Sequence, residues 1–395
     1  ADPNGSGLSV AAADPACGRV PEKKGGKVMR RVRVAALLVL IATFCVLFSG
    51  CGYRELQERV LIQGVGVDKT RDGYQVTVRA AGTDEEAVDQ LYTCKGASVL
   101  EALSSLSLTT GREPFYAHNY LVVFGRSCGE EGLDDSMDFF IRYYNTRPAV
   151  QVYLAENTAE EILSQETDNG LIPVRELQNL GKTGDYNGKA VSVDFLDFVN
   201  ASRRPGSSPV LPVLGAGDGG VEVLGTAYFQ DYKLAGFLTL EETRGYLAIK
   251  GDLKNGELVV TGENFGTVTL TISGGKTKQE VEFENNTPIF RTVYRVTADV
   301  STLSGEQGEL DESFYAALEE AVSSQLEGEM KAVLEQALEE DQCDIFGFGN
   351  LISQRFPQEW DSLEKTWNTD MVRCQYDLQV EATVLRMEQG GLKGN

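Results

Sequence analysis

The stretch DESFYAALEEAVSSQLEGEMKAVLEQALEED, residues 311–341, decides the fold. Its apolar side chains recur mostly every three or four residues and form one stripe, made of Phe314, Leu318, Val322, Leu326, Met330, Val333, Leu334 and Leu338. This is the period of an α-helix with one buried face, so the sequence predicts a long amphipathic helix. Gly328 lowers the stability of such a helix by about 1 kcal/mol and marks a candidate bend.

The residues on either side of this helix predict the layer on which it packs. Four segments of β character precede it, most with alternating apolar and polar residues: Glu257–Thr261, Thr267–Ser273, Gln279–Phe283 and Ile289–Val300. Alternation with a period of two indicates strands that are buried on one face. Gln375–Arg386 alternates in the same way and ends the fold. We therefore expect an antiparallel sheet covered by the long helix.

The first half of the chain has strands and helices in alternation. Val60–Val67 and the alternating residues from Tyr74 to Ala80 flank Asp72-Gly73, a hairpin signal. The segments that follow predict a helix over Ser98–Leu108, a strand over Tyr120–Phe124, a helix over Gly132–Tyr144 and a strand over Ala149–Leu154. The expected fold class is α+β and multi-domain, with a mixed α/β N-terminal part and a C-terminal antiparallel sheet packed by a long helix.

A segment rich in glycine and proline, residues 202–220, separates these two patterns. Such residues interrupt helices and strands. A chain of 395 residues is also longer than one hydrophobic core usually serves. The sequence therefore predicts an N-terminal domain over 51–201, a linker over 202–220 and a C-terminal domain over 221–388.

The N-terminus predicts the compartment. Val34–Phe48 reads VAALLVLIATFCVLF and follows the basic cluster MRRVR at residues 29–33. A helix of this length covers only about 22 Å of a bilayer core of about 30 Å, so a cleaved signal peptide is favoured over a permanent span. Leu47–Cys51 resembles a bacterial lipobox, in which the cysteine thiol takes diacylglycerol. We expect the upstream residues and signal peptide, 1–50, to be removed and Cys51 to carry the lipid.

Composition argues against several classes of function. The 59 acidic and 36 basic residues give a net charge of −23, which makes a nucleic-acid partner improbable. The single histidine, His118, rules out a metal site with two histidines, and no GxSxG elbow accompanies it. The acid pairs at 241–242, 319–320 and 339–340 are interpreted as solvated helix faces. We expect no enzyme activity, no cofactor and no metal.

Four further cysteines follow Cys51, and none has CxxC spacing, so zinc is not expected: Cys94, Cys128, Cys343 and Cys374. Outside the cytoplasm, four thiols allow three disulfide pairings, between which the sequence does not choose. Free buried cysteines are an equal alternative.

Several motifs together resemble the Ger(x)C family, the lipoprotein C subunits of spore germinant receptors in endospore-forming bacteria. CGYREL at residues 51–56 and GVGVDK at 64–69 are similar to the start of that family, although it commonly has Trp where Gly52 or Tyr53 stands. The central matches are HNYLVVFG at 118–125 and GTAYFQDYKLAGFLTLEETRG at 225–245, and the closing ones are DIFGFG at 344–349 and FPQEW at 356–360. The resemblance runs from Cys51 to near the C-terminus.

This resemblance implies a lipid-anchored subunit at the outer face of the spore inner membrane. It would act in receptor assembly and germination signalling with an A subunit and a transporter-like B subunit, both membrane proteins. The resemblance supplies no catalytic residue, and direct germinant binding stays open. The alternative is an extracytoplasmic solute-binding lipoprotein, which would need two parallel α/β lobes.

Four aromatic residues near the C-terminus are candidates for contacts with these partners: Phe346, Phe348, Trp360 and Trp367. Protein interfaces often centre on aromatic anchors. Any of the four that is exposed is therefore a candidate for the partner face, and core packing is the alternative for each.

Overall fold

The computed structural model describes residues 25–48, 59–82, 89–142, 149–217, 219–304 and 310–385. The chain divides into two compact units, Ala1–Glu55 and Leu56–Asn395. In the first unit, helix α1 (Gly25–Phe48) contains the basic cluster and the apolar run. Among the described helices, none has the length and apolar character needed to cross a membrane.

The second unit begins with the strands and helices of the predicted α/β part. The strands are β1 (Arg59–Thr70), β2 (Gly73–Ala80), β3 (Gln90–Gly96), β4 (Glu113–Phe115), β5 (Leu121–Phe124), β6 (Gln151–Ala155), β7 (Glu166–Thr167), β8 (Gly170–Leu171), β9 (Val210–Gly217), β10 (Gly220–Gln230) and β11 (Lys233–Leu238). The helices are α2 (Val99–Thr110), α3 (Arg126–Glu131), α4 (Leu133–Arg142), α5 (Ala159–Leu163), α6 (Val174–Leu180), α7 (Gly184–Asn187) and α8 (Phe195–Arg203). These bounds confirm the predicted hairpin, helices and strands of this half.

Nine of these strands form one sheet in the order β11-β10-β9-β6-β5-β1-β2-β3, with β4 beside β1. The central pairs β1–β5, β5–β6 and β6–β9 are parallel, whereas the hairpins at both ends are antiparallel. Parallel strands need helical crossovers, which cover both faces of the sheet. Leu121 and Val123 of β5 therefore pack with α5 and α6, while Val122 and Phe124 belong to the larger core that includes α2, α4 and α8.

The segment predicted as a linker, residues 202–220, is largely structured. It contains the end of α8, all of β9 and the first residue of β10. Strand β9 pairs antiparallel with β10 and, at Val213 and Leu214, parallel with β6. Six consecutive residues of β9 are buried, so its partners and its burial hold it as a strand despite its glycines and proline. The division of the chain into domains at this segment stays a prediction.

The C-terminal part consists of a second sheet and a helical layer. Its strands are β12 (Gly256–Gly262), β13 (Gly266–Glu284), β14 (Thr287–Ser304) and β15 (Gln375–Leu385), paired in that order. Its helices are α9 (Leu240–Lys250), α10 (Glu312–Leu334), α11 (Phe348–Arg355), α12 (Pro357–Leu363) and α13 (Trp367–Asp370). The two segments predicted at 267–273 and 279–283 are one strand, β13.

The whole predicted stripe is buried, from Phe314 to Leu334 in α10 and at Leu338 just after it, which confirms the amphipathic assignment. The helix runs through Gly328 without interruption and continues as a π-helical turn, Glu335–Glu340. The sheet is antiparallel from β12 to β14, but β15 runs parallel to β14. The antiparallel arrangement expected from the four segments before α10 is confirmed. The last strand, β15, runs parallel to β14 because the helices between them form a crossover that returns the chain in the same direction.

Candidate functional site

The structure places the four aromatic candidates in the core. Phe346, Phe348, Trp360 and Trp367 are only 1–6% exposed. Only exposed residues were candidates for the partner face, and none of these four is exposed. Cys51 lies outside the described residues.

These four side chains form one aromatic cluster with neighbours from the second sheet. Phe348 lies 5.3 Å from Phe346 and 4.6 Å from Phe290 of β14, measured between ring centroids. Trp360 and Trp367 meet edge to face at 5.7 Å. Such contacts add stability beyond the area they bury, so the cluster fixes α11, α12 and α13 on the sheet.

A buried carboxylate lies within this cluster. Asp344 is 1% exposed and accepts four hydrogen bonds. Its Oδ1 accepts from the backbone N–H groups of Gly347 (2.8 Å) and Phe348 (3.1 Å), and its Oδ2 accepts from the N–H of Gly349 (2.8 Å) and the indole N–H of Trp367 (3.0 Å). Burial raises the pKa of Asp344, and the four donors oppose that rise. The DIFGFG motif thus binds its own first side chain and starts α11.

The same motif is joined to the loop that follows α8. The backbone N–H of Ser208 donates to the carbonyl oxygen of Asp344 at 2.7 Å, and that of Asn350 donates to Gly206 at 3.2 Å. Gly206 has a φ of +54°, and a Cβ there would lie 2.5 Å from the Cα of Gly349. The glycines at these two positions are required because two backbones approach closely. This contact joins the segment predicted as a linker to the C-terminal part.

A second joint lies between α9 and α10. The guanidinium of Arg244 pairs with both carboxylate oxygens of Glu329, with Nε 2.7 Å from Oε2, and Nη1 donates to the carbonyl of Glu257 at 3.2 Å. The two side chains are 4% and 12% exposed. Gly245 lies against the backbone of Glu329, where any Cβ would overlap its carbonyl oxygen. The residues ETRG of the family motif therefore serve the close contact of two helices.

The π-helical turn after α10 contacts the end of the first sheet. Gln336 donates from Nε2 to the carbonyl of Phe237 in β11 at 2.9 Å. The hydroxyl of Tyr228 in β10 donates to the carboxylate of Asp341. The side chains of the turn and of the residue after it therefore bind β10 and β11. In a regular α-helix these side chains would point in other directions.

Asp68, the acid of GVGVDK, is also an internal ligand. It is 5% exposed and accepts from the backbone N–H groups of Ala159 (2.7 Å) and Glu160 (3.0 Å) at the start of α5. Burial raises its pKa. Gly125, from the HNYLVVFG motif, faces this carboxylate, and a Cβ there would overlap it. The two motifs therefore meet in space to hold α5 on the sheet.

The remaining candidates from the sequence are His118 and the four cysteines after Cys51. His118 is exposed and its ring lies 5.9 Å from that of Phe115. The four cysteines after Cys51 are free and buried, so of the two alternatives the structure has free thiols. In the described ranges, no group of three or more His, Cys, Asp or Glu side chains could hold a metal ion.

Sequence reasoning missed a row of three acceptor side chains on α10, two glutamates and a serine. The edge strand β15 donates backbone N–H groups to them: Val384 to Glu319 (3.0 Å), Ala382 to Ser323 (3.3 Å) and Val380 to Glu327 (2.9 Å). Glu319 is therefore bound to the sheet, and its interpretation as part of a solvated face was wrong. The spacing of four residues between these acceptors was visible in the sequence, but their strand partner was not.

A cleft with a volume of ≈ 440 Å³ opens beside the aromatic cluster. It is lined by residues between 181 and 193, by Val210 and by residues between 246 and 255. Tyr246 lines the cleft, and its ring lies 6.0 Å from that of Phe346.

Comparison with known proteins assigns both halves of the chain. Residues 52–216 match the family model described as "Spore germination protein N-terminal domain". Residues 224–388 match "Spore germination B3/ GerAC like, C-terminal".

Two relatives match nearly along their whole length. The chain is 24% identical over 401 residues to spore germination protein KC of Bacillus subtilis (strain 168), covering 92% of this chain and 98% of that protein. It is 18% identical to the GerBC protein, known from a crystal structure, with a TM-score of 0.58 over 82% of this chain and 97% of that one. At 18% identity, the similarity to the GerBC structure shows a shared fold only.

Proposed function

The chain belongs to the Ger(x)C family of spore germination proteins, and on this premise we propose that it is the C subunit of a nutrient germinant receptor. In this proposal, a lipid on Cys51 holds it at the outer face of the spore inner membrane. It acts there in receptor assembly and germination signalling, together with the membrane A and B subunits.

The position of Cys51 carries the proposal. The match to the N-terminal family model begins at residue 52, directly after the cysteine. The basic cluster, the apolar run and the small residues that a lipoprotein signal needs come directly before it. The family domain and the lipidation signal therefore meet at one residue.

Charge explains why this protein needs a lipid. Residues 1–50 carry seven basic and three acidic residues, so their removal makes the body more acidic than the whole chain with its net charge of −23. Anionic headgroups repel such a body. One acyl chain gives only marginal binding, whereas the two chains of a diacylglycerol hold a protein firmly. Membrane attachment then depends on Cys51 rather than on the protein surface.

The internal roles of the family motifs support a role in assembly. Asp68, Arg244 and Asp344 bind backbone or side-chain groups inside the fold. These contacts join the first sheet, the long helix and the second sheet into one body. Such a body suits a subunit that presents a fixed surface to membrane partners, without chemistry of its own.

The test is Cys51→Ala in spores, with Cys17→Ala as the matched control upstream of the signal peptide. We expect Cys51→Ala to leave an uncleaved precursor without diacylglycerol, as measured by intact mass. We also expect less receptor in the inner membrane and slower nutrient germination, with the control unchanged. Acylation that persists in Cys51→Ala would refute the anchor.

Co-purification tests the partnership separately. Detergent extracts of inner membranes, captured through a tag on this chain, should contain the A and B subunits. Deletion of the gene should abolish the response to the nutrients that this receptor senses. Normal germination after deletion, in a strain without a redundant receptor, would refute the receptor role.

A further inference from the structure

The two edge strands of the second sheet are treated differently by the helices around them. At one edge, backbone N–H groups of β15 donate to side chains of α10. At the other edge, the carbonyl of Glu257 in β12 is the only outward backbone group with a partner among the residues that the structure describes. Proteins usually protect an edge strand with proline, a bulge or charges. Strand β12 has no proline, no bulge and one charged residue.

The register of β12 shows which of its backbone groups are free. The strand pairs with β13 along its whole length without a register shift. In an antiparallel pair, alternate residues direct both N–H and C=O away from the partner strand. The carbonyl of Glu257 accepts from Nη1 of Arg244 in α9 at 3.2 Å, so it lies on the outward side. Val259 and Thr261, two and four residues further on, therefore direct their N–H and C=O groups outward as well.

A groove with a volume of ≈ 590 Å³ adjoins this free edge. It is lined by Glu257 and Val259 of β12, by Tyr186 of α7, and by residues of α9 and α10. Val259 is 51% exposed and Tyr186 is 66% exposed. The groove thus combines unpaired backbone groups with exposed apolar side chains. An extended peptide that joins a sheet edge uses both, because its main chain provides affinity and its alternate side chains provide specificity.

The charges of the groove select the peptide. Lys189 pairs with Glu241 at 2.9 Å, and Arg244 pairs with Glu329. Of the charged residues that line the groove, Glu257 alone makes no ion pair with a residue that the structure describes. Opposite charges on adjacent strands stabilise their pairing, and like charges destabilise it. A basic peptide is therefore favoured over an acidic one.

A second copy of the chain fits this edge less well. If two copies paired antiparallel about Val259, Glu257 of each would lie opposite Thr261 of the other, so neither carboxylate would gain a cation. The two bodies would also repel each other, since each chain has a net charge of −23.

We propose that the open edge of β12 binds an extended basic segment of a partner protein, which joins the four-stranded sheet as a fifth strand. Its backbone pairs with Val259 and Thr261, a lysine or arginine side chain meets Glu257, and an apolar side chain packs on Val259. This interaction goes beyond the lipid anchor and the receptor role, since it is measured on the isolated protein.

The test is fluorescence anisotropy of a labelled peptide titrated with the full chain in detergent micelles. In this heptapeptide, a lysine at each end flanks alternating threonine and valine, so that the lysines and valines share one face of a strand. One control peptide is N-methylated at every amide, which removes its backbone donors, and another has glutamate in place of lysine. Saturable binding is expected for the first peptide, and affinity at least about tenfold lower for both controls.

Hydrogen–deuterium exchange locates the bound peptide, which should slow exchange in β12 and leave β15 unchanged. Val259→Pro removes an N–H that the ladder with β13 does not use, so the sheet should keep its pairing while peptide affinity falls about tenfold or more. Glu257→Gln should weaken binding several-fold. Glu359→Gln makes the same change on an exposed residue of α12 outside the groove, and it should keep the affinity of the wild type.

The proposal is overturned if the lysine peptide does not bind, if the methylated peptide binds equally well, or if Glu359→Gln weakens binding as much as Glu257→Gln. Sedimentation that shows a dimer of the wild type, dissociated by Val259→Pro, would assign the edge to a second copy and overturn it too.

Discussion

Replacing Asp344 with Asn changes one oxygen of a buried carboxylate into an NH₂ group and leaves its shape intact. The four donors around the side chain are divided between the two oxygens. Gly347 and Phe348 donate to Oδ1, and Gly349 and the indole of Trp367 donate to Oδ2. An amide has one acceptor atom, so whichever way it turns, one pair of N–H groups faces an NH₂ group.

The magnitude follows from this division. Two buried N–H groups lose their acceptor, and each such loss costs about 1–3 kcal/mol. The carboxylate of Asp344 is itself destabilised by burial, as the direction of its raised pKa indicates, and Asn removes that penalty. We therefore expect the free energy of unfolding to fall by about 2–3 kcal/mol, in the lower half of the range that two lost acceptors would give.

The unfolding assay uses the fluorescence of the protein's own tryptophans. Both tryptophans of the chain, Trp360 and Trp367, lie in the cluster around Asp344, so urea unfolding followed by tryptophan fluorescence reports on this site. Trp367→Phe removes one of the four donors. It should cost less in the Asp344→Asn background than in the wild type, with a coupling energy of about 1 kcal/mol in a double-mutant cycle. Circular dichroism provides a second measure of unfolding.

Asp361→Asn on the exposed face of α12 is the control and should change stability by less than about 0.5 kcal/mol. If Asp344→Asn is as stable as this control, or if the two substitutions in the cycle are additive, the four hydrogen bonds do not stabilise the fold as argued.

Three further substitutions test other contacts. Glu327→Ala removes the acceptor of an N–H group on edge strand β15, so it should lower the free energy of unfolding by about 1 kcal/mol and increase aggregation. Glu320→Ala, at an exposed position of the same helix, should do neither. Equal effects of the two substitutions in urea unfolding and light scattering would contradict this. Gly206→Ala should destabilise the protein by about 2 kcal/mol or more, because φ is +54° there and the neighbouring backbone leaves no room for a Cβ. Gly217→Ala is the control, since a Cβ at that position meets open space. A melting curve of Gly206→Ala that matches the control would be inconsistent with this packing. Burial raises the pKa of Asp68, so the folded state keeps this proton to a higher pH than the unfolded chain, and the stability it contributes falls as the pH rises through the folded pKa. The stability difference between the wild type and Asp68→Asn should therefore shrink as the pH rises above about 4, the ordinary pKa of an aspartate. A difference that widens in a series of thermal melts would contradict this sign.

Local periodicity was sufficient for much of the fold. The stripe from Phe314 to Leu338 predicted α10, and alternation predicted the second sheet, because the period of buried residues follows directly from helix and strand geometry. The chemistry of turns and of parallel strands likewise predicted the first hairpin and the mixed α/β pattern. The motifs from GVGVDK to DIFGFG predicted the family.

The failures concern contacts between distant parts of the chain. Strand β9 was read as a linker because Pro212 and several glycines disfavour a strand. Pro212 lies just beyond the two residues that pair with β6, so the parallel ladder does not need its missing N–H. The parallel direction of β15 depends on the path of the helices before it, which alternation does not encode.

The candidate site divides in the same way. The sequence by itself determined which residues form the motifs and which catalytic templates are missing, and it predicted where the lipid signal lies. Only the tertiary structure decided that Phe348 faces the core rather than a partner, that Glu319 binds an edge strand, and that Tyr246 borders a cleft. The physical reason is that residue type and spacing fix the preferences of a segment, whereas burial and hydrogen-bond partners depend on which distant segment packs against it.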